Sequence, residues 1–265
     1  MRACRGICVT LVAVFATSAM AAEIWTDFGG MIAHFDSANP TIITNVGQTG
    51  ELPMDGMDFT PDGILWGVAD QELFRISQVN GSVERIGVAT LPPGEIYMDI
   101  SWDPSTHAMY GLGSGASGFL NNLYTIDLNT GAATLVTTFL TPTWSGGLAT
   151  TAAGVRFIDN TLMDGPSRID GNTLTYLGPQ GFDSNFFGGM TIDWSRDGTL
   201  YYCTWNAGAE RTEVWTLNTT TGQGTLLGPI GPDGQTVLLS AAIKPLPEPG
   251  AGAALILLLA CRRMR

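Results

Sequence analysis

Charged residues are scarce in this chain of 265 residues, and basic residues are the scarcest. Asp, Glu, Lys and Arg make up 14% of the sequence, with 24 acids against 12 bases and a formal net charge of −12. A nucleic-acid-binding protein needs a basic face, so this balance argues against that class. The hydrophobic content of 45% argues against a long disordered chain. The 34 glycines and many aromatic residues favour short strands joined by tight turns.

Histidine and cysteine, the usual metal ligands and nucleophiles, are also nearly missing. His34 and His107 are the two histidines, and they show neither a zinc-binding spacing nor a Ser–His–Asp arrangement. We interpret both as solvated surface residues. Cys203 is the one cysteine between residues 22 and 245, so no internal disulfide can form there. We expect Cys203 to be a buried, inert thiol.

Residues 1–21 have the order of features of a secretory signal peptide. Two arginines precede an apolar run over residues 7–16, and Ala19-Met20-Ala21 is a small-x-small cleavage site. We predict cleavage after Ala21, with the following alanine as the alternative position. The competing interpretation is a buried first strand or helix.

The other end of the chain, residues 246–265, has a related pattern. Pro247-Glu248-Pro249 precedes an apolar run over residues 250–261, and arginines close the chain at positions 262, 263 and 265. A helix of that length spans about 18 Å, against about 30 Å of hydrocarbon in a bilayer. It is therefore a short membrane span, with a helix docked on the domain or an interfacial segment as alternatives.

This C-terminal pattern resembles a PEP-CTERM sorting signal, and the resemblance covers residues 246–265 alone. It implies an exported protein of bacteria that make extracellular polysaccharide, located in the cell envelope, at the cell surface or in the matrix. It also implies an exosortase-type membrane enzyme as a processing partner. The implied roles are recognition by Pro247, Glu248 and Pro249, transient membrane anchoring by residues 250–261, and a cytoplasmic stop. The stop consists of Arg262, Arg263 and Arg265.

The domain between these signals, residues 22–245, is a repeat. Residues 57–67 have the sequence Met-Asp-Phe-Thr-Pro-Asp-Gly-Ile-Leu-Trp-Gly. A related pattern recurs over residues 192–202, which have the sequence Ile-Asp-Trp-Ser-Arg-Asp-Gly-Thr-Leu-Tyr-Tyr. Taking Asp58, Ser101, Ala149 and Asp193 as equivalent gives spacings of 43, 48 and 44 residues. Each copy precedes a hairpin pattern whose turn contains a glycine, as in Asn80-Gly81 and Asn129-Thr130-Gly131. A four-stranded unit of about 45 residues is typical of a β-propeller blade.

Four units are complete, at residues 55–88, 97–138, 145–178 and 188–229, and the two ends complement each other. Residues 24–47 lack a first strand, whereas residues 236–243 supply one strand and lack the rest. We predict an all-β propeller of five four-stranded blades, closed by the N- and C-terminal strands and followed by a short apolar helix. Closure would protect both sheet edges. A β-sandwich and a solenoid are the alternatives. The units resemble quinoprotein-like and lactonase-like propeller repeats in general style, without a closer family.

Two sets of residues are candidates for binding. Asp58 and Asp193 recur at one repeat position and could hold a cation such as Ca²⁺ with backbone carbonyls. We favour the alternative that each accepts backbone hydrogen bonds at the channel mouth. The aromatic candidates lie outside the repeat positions, in Gly- and Asn-rich segments, where exposed rings can stack on sugars or anchor a protein. They are Trp144, Phe186, Phe187 and Trp205, and packing between blades is the alternative role.

Together these features predict an exported binding or structural protein without catalytic activity. Its ligand would be an extracellular polysaccharide, preferably a neutral glycan because the domain is acidic, or another surface component. The alternative is a lactonase-like hydrolase or a lyase with a metal in the channel. Such enzymes usually need several metal ligands or a histidine-based acid–base group on the channel face, and the scarcity of histidine favours the first interpretation.

Overall fold

The computed structural model describes residues 21–50, 53–115, 119–232, 234, 237–238 and 240–246. The regular secondary structure in this part of the chain consists of β-strands, and the strands form five four-stranded antiparallel sheets. The predicted all-β class, the propeller architecture and the number of blades are therefore confirmed.

Blade 1 contains β4 (Gly56–Phe59), β5 (Leu65–Ala69), β6 (Glu72–Ile76) and β7 (Val83–Val88). Blade 2 contains β8 (Ile96–Asp103), β9 (Ala108–Ser114), β10 (Leu120–Ile126) and β11 (Ala133–Thr143). Blade 3 contains β12 (Leu148–Thr150), β13 (Arg156–Asn160), β14 (Gly165–Asp170) and β15 (Thr173–Tyr176). Blade 4 contains β16 (Ser184–Ile192), β17 (Leu200–Asn206), β18 (Arg211–Leu217) and β19 (Gly224–Pro229).

Blade 5 combines strands from the two ends of the described chain. Its order is β20 (Ser240–Ile243), β1 (Glu23–Asp27), β2 (Met31–Asp36) and β3 (Asn39–Gln48). In the antiparallel pairing of β20 with β1, Ile243 lies opposite Ile24 and Ser240 lies opposite Asp27. A strand from residues 240–243 thus supplies the inner edge of a sheet that the N-terminal strands begin.

The first strand of each sheet lies nearest the propeller axis, and these inner strands come very close together. β20, β4, β8, β12 and β16 contact one another in that order, and β16 contacts β20. A Cβ atom on Gly189 of β16 would lie 2.2 Å from the backbone nitrogen of Ala241 in β20. Glycine is therefore required at this contact between blades 4 and 5.

An aromatic residue occupies the same place on the second strand of every blade. The five rings are at most 8% exposed and belong to Trp25, Trp66, Tyr110, Phe157 and Tyr201. Each lies opposite a polar residue on the third strand, and these partners are His34, Arg75, Thr125, Arg168 and Thr216. Asp58, Ser101 and Ala149 lie opposite three of these rings, so their predicted equivalence is confirmed. The rings form a large share of the packing between blades.

Glycines recur on the outer strands because backbones of neighbouring blades approach closely there, as they do at Gly189. A Cβ atom on Gly87 of β7 would lie 1.9 Å from the carbonyl oxygen of Thr130 in the next blade. The neighbouring Gly131 has a φ of 74°, a conformation that favours glycine. The glycine of one repeat therefore makes room for the glycine turn of the next.

Several predicted features lie outside the described residues. They include residues 1–20 of the signal peptide with Ala19, the motif Pro247-Glu248-Pro249, the C-terminal apolar helix and the terminal arginines. Within the described residues, no helix has the length and apolarity needed to cross a bilayer.

Candidate functional site

One end of the propeller, here named the loop face, carries the connections between blades and the turns between the second and third strands. The described residues of these connections are 49–50 with 53–55, 89–95, 144–147, 177–183, and 230–232 with 234 and 237–238. The described residues of these turns are 28–30, 70–71, 115 with 119, 161–164 and 207–210. Loops held by rigid sheets are common binding surfaces.

The loop face is acidic. Its described segments contain no Lys or Arg, and Arg211, which directly follows the turn over 207–210, is paired with Glu213. They contain Asp55, Asp70, Glu95, Asp164 and Asp183, among other acids. An anionic ligand would therefore be repelled, whereas a neutral or cationic ligand would not.

Trp144 begins the connection from blade 2 to blade 3 on this face and is partly buried. Its ring meets that of Phe119 edge to face, with ring centroids 5.8 Å apart. The Trp144 carbonyl accepts hydrogen bonds from the backbone nitrogen and the hydroxyl of Thr161, at 3.1 and 3.2 Å. The ring is thus held in place between two loops of the loop face.

Trp205 lies near the loop-face end of β17 and is also partly buried. Because side chains alternate along a strand, its ring is on the same side as Tyr201 and Cys203. Those two residues pack in the cluster between blades 4 and 5. Trp144 and Trp205 therefore share the loop face but belong to different blade boundaries. Phe186 and Phe187 are in β16, and their side chains lie outside the described set.

Asp58 has the predicted place on the inner strand of blade 1, and both its carboxylate oxygens accept backbone hydrogen bonds. Oδ1 accepts from the nitrogen of Phe59 at 2.8 Å, and Oδ2 accepts from the nitrogen of Trp102 at 2.7 Å. Burial raises the pKa of Asp58 to about 7, and these N–H groups oppose the shift. This is the structural role that the sequence favoured, and it links blade 1 to blade 2.

Asp193 does not occupy the position of Asp58, so the predicted equivalence is wrong. Thr191 of β16 lies opposite Tyr201, as Asp58 lies opposite Trp66. The turn between the first two strands of blade 4, residues 193–199, is two residues longer than the turn over 60–64. Asp193 therefore lies beyond β16, where it pairs with Arg196 at 2.5 Å.

Two further buried aspartates join blades, and no motif in the sequence marks them. Asp99 Oδ2 accepts from the backbone nitrogen of Leu148 in blade 3 at 2.6 Å. Asp159 Oδ1 accepts from Ser145 and from two glycine N–H groups, while Oδ2 accepts from the hydroxyl of Tyr202 in blade 4 at 2.9 Å. Burial raises the pKa of both carboxyls. They sit at different repeat positions from Asp58, so repeat alignment could not group them.

Glu95 and Glu213 are buried beneath the loop face with neutral or cationic donors. The amide of Asn122 donates to both oxygens of Glu95 at 2.9 Å, and the hydroxyl of Tyr124 donates at 3.1 Å. Glu213 accepts from Arg211 at 2.6 Å, among other donors. Carboxylates engaged in this way fix loop geometry rather than present an acid or base to a ligand.

The two histidines and Cys203 are the remaining residues considered as candidate ligands or nucleophiles. His34 stacks on Trp25 with ring centroids 4.9 Å apart, whereas His107 is exposed in a turn. Cys203 is fully buried, as predicted, and burial raises the pKa of its thiol. Among the described residues, no three His, Cys, Asp or Glu side chains converge in a way that could hold a metal.

No family model and no curated protein matches this sequence. Among solved structures, the chain is similar to a symmetrical protein whose de novo evolutionary emergence is described as shaped by folding constraints. The identity is 15% and the TM-score 0.51, over 86% of this chain and 100% of that one.

Two other solved structures are more weakly similar. A protein of unknown function from Bacteroides caccae has 10% identity and a TM-score of 0.47, over 84% of this chain and 99% of that one. The calcium-binding protein regucalcin from Agrobacterium tumefaciens has 16% identity and a TM-score of 0.44, over 76% and 72%. These likenesses concern the fold alone. The five four-stranded sheets of this chain define its class, the β-propeller.

Proposed function

We propose that this protein is an exported, non-catalytic binding module whose loop face takes a neutral glycan at the bacterial surface or in the matrix. The observation that carries the proposal is the placement of Trp144 and Trp205 on the one face whose segments contain no base. A partly exposed indole offers a flat apolar surface to a sugar ring, and the acidic surroundings disfavour an anionic polymer.

The binding role, as opposed to a hydrolase or lyase, is supported by how the acids are used. Asp58, Asp99 and Asp159 hold backbone or hydroxyl donors between blades. Asp193 pairs with Arg196 beyond the end of its strand. These carboxylates therefore have structural roles. The geometry of the described residues does not support the alternative of a metal bound in the channel by Asp58 and Asp193.

Export rests on the signal-peptide pattern and on the resemblance of residues 246–265 to a sorting signal. Both described ends, Ala21 and Leu246, border one cavity of about 670 Å³ on the side away from the loop face. A tail that anchors the protein transiently would then leave the loop face directed outward. Mass spectrometry of the native protein tests this, because a cytosolic protein that retains Met1 and Arg265 would contradict export and processing.

The glycan proposal is tested by binding titrations with Trp144→Ala and Trp205→Ala. Loss of one stacked ring should weaken binding about fivefold, from about 1 kcal/mol for an aromatic contact. Val79→Ala is the control, since Val79 is 89% exposed in a turn at the opposite end. Unchanged glycan affinity in both folded tryptophan variants would overturn the assignment of these rings.

A further inference from the structure

Two buried polar atoms of blade 5 have no hydrogen-bond partner among the described residues, and they are neighbours. They are Asp27 Oδ2 and Ser240 Oγ, on two residues that are both 0% exposed. Asp27 lies directly opposite Ser240 in the pairing of β1 with β20. Side chains of directly opposite residues project from the same face of a sheet, so the two unpartnered atoms share one location.

That location faces blade 1. Asp27 is on the same side of β1 as Trp25, and the Trp25 ring packs edge to face on Phe59 of β4, with centroids 5.9 Å apart. Met54, in the connection that leads into β4, packs in the same buried cluster as Trp25 and Phe59.

A second acid, Asp55, directly follows Met54, which packs in the same buried cluster as Trp25 and Ala242. The charge of Asp27 contributes to the raised pKa of Asp55, and burial raises both pKa values to about 6. Each carboxylate is oriented by a backbone N–H: Gly30 donates to Asp27 Oδ1 at 2.7 Å, and Asp70 donates to Asp55 Oδ2 at 2.8 Å. A cation would reduce the repulsion between two like-charged groups in this region and could also bind the unpartnered hydroxyl.

We propose that Asp27, Asp55 and Ser240 form a binding site for a divalent cation, best matched by Ca²⁺, at the boundary between blades 5 and 1. Ca²⁺ takes six to eight oxygen ligands in flexible geometry, so backbone carbonyls and water complete its coordination. Mg²⁺ demands near-ideal octahedral geometry and fits a mixed set of this kind less well. The site differs from the one predicted at Asp58 and Asp193.

The position of the site gives the cation a structural consequence. Its three side chains come from β1, from β20 and from the segment that leads into β4. A bound cation therefore links β1 and β20, which join the two ends of the described chain, to blade 1. Ca²⁺ at a hundredfold excess over its dissociation constant should raise the melting temperature by about 5–10 °C.

Terbium luminescence tests the site, because Tb³⁺ replaces Ca²⁺ and is excited through a nearby indole. Trp25 is two residues from Asp27 on the same side of β1. We expect Tb³⁺ emission upon tryptophan excitation, displacement of Tb³⁺ by Ca²⁺, and one Ca²⁺ per chain by calorimetry. Asp27→Asn and Ser240→Ala should each weaken Ca²⁺ binding about tenfold or more.

The controls separate this site from loose binding to an acidic protein. Asp36→Asn removes an exposed carboxylate at the far end of blade 5 and should leave Ca²⁺ affinity unchanged. Ser240→Ala replaces a small side chain beside two alanines, so it keeps the test valid if Asp27→Asn fails to fold. Absence of Ca²⁺ binding, or equal affinity in the folded Ser240→Ala variant and the unchanged chain, would overturn the proposal.

Discussion

Asp58 and Trp102 belong to neighbouring blades, and the carboxylate of Asp58 holds the backbone N–H of Trp102 at 2.7 Å inside the protein. Asp99 repeats the arrangement one blade further, with the N–H of Leu148 at 2.6 Å. The inner strands therefore do not rely on apolar packing alone. A buried N–H without a partner costs free energy, so each such aspartate couples two blades.

Removal of the Asp58 carboxylate should weaken this coupling. Asp58→Ala leaves the N–H of Trp102 buried and unsatisfied, which should lower the free energy of unfolding by about 1–3 kcal/mol. Denaturant titration measures the effect. Val79→Ala, at an exposed turn residue of the same blade, should change it by less than about 0.5 kcal/mol. Equal losses in the two variants would contradict the role of Asp58.

The buried carboxyls predict an unusual dependence of stability on pH. An aspartate in an unfolded chain has a pKa of about 3.9, whereas burial raises the pKa of Asp58 to about 7 and those of Asp27 and Asp55 to about 6. Between these values the folded protein binds more protons than the unfolded chain. The associated stability is therefore fully present below about pH 4 and is lost as the pH rises through 6 and 7.

Thermal unfolding in a metal chelator at pH 5 and pH 8 measures this dependence. The melting temperature should be several degrees higher at pH 5. Carboxyls whose pKa is lowered, such as those of Asp103 and Asp197, act only below this range. A melting temperature that is higher at pH 8 would show that these acids are not buried as described.

The strand β20 should be essential to the stability of the whole domain. A chain that ends at residue 239 loses the inner strand of blade 5 and exposes an edge of β1. Compared with a chain that ends at residue 246, it should melt at a lower temperature and aggregate, as measured by circular dichroism and size-exclusion chromatography. Identical melting of the two chains would contradict the joined fifth blade.

The contact of Gly87 with the Thr130 carbonyl predicts a strong effect of one methyl group. Gly87→Ala should lower the free energy of unfolding by about 1–3 kcal/mol, since backbone atoms must move to make room. Gly208→Ala is a suitable control, because a Cβ atom there meets no atom closer than 3.4 Å. Similar stability of the two variants in denaturant would argue against close contact of the outer strands.

The repeat in the sequence was sufficient to predict five blades because turn glycines and interface aromatics recur at nearly fixed spacing. The position of Asp193 was mispredicted because its turn is two residues longer than that of Asp58, and a local motif does not show register. The pairing of Asp27 with Ser240 could not be predicted in detail. The two residues are more than 200 positions apart, and the location of unpartnered atoms depends on packing.

A glycan array probed with the purified protein tests the proposed function most directly. The acidic loop face with Trp144 and Trp205 predicts binding to neutral glycans, with little dependence on salt, and no binding to sulfated or uronate-rich glycans. Binding confined to anionic glycans, or to no glycan at all, would contradict the account.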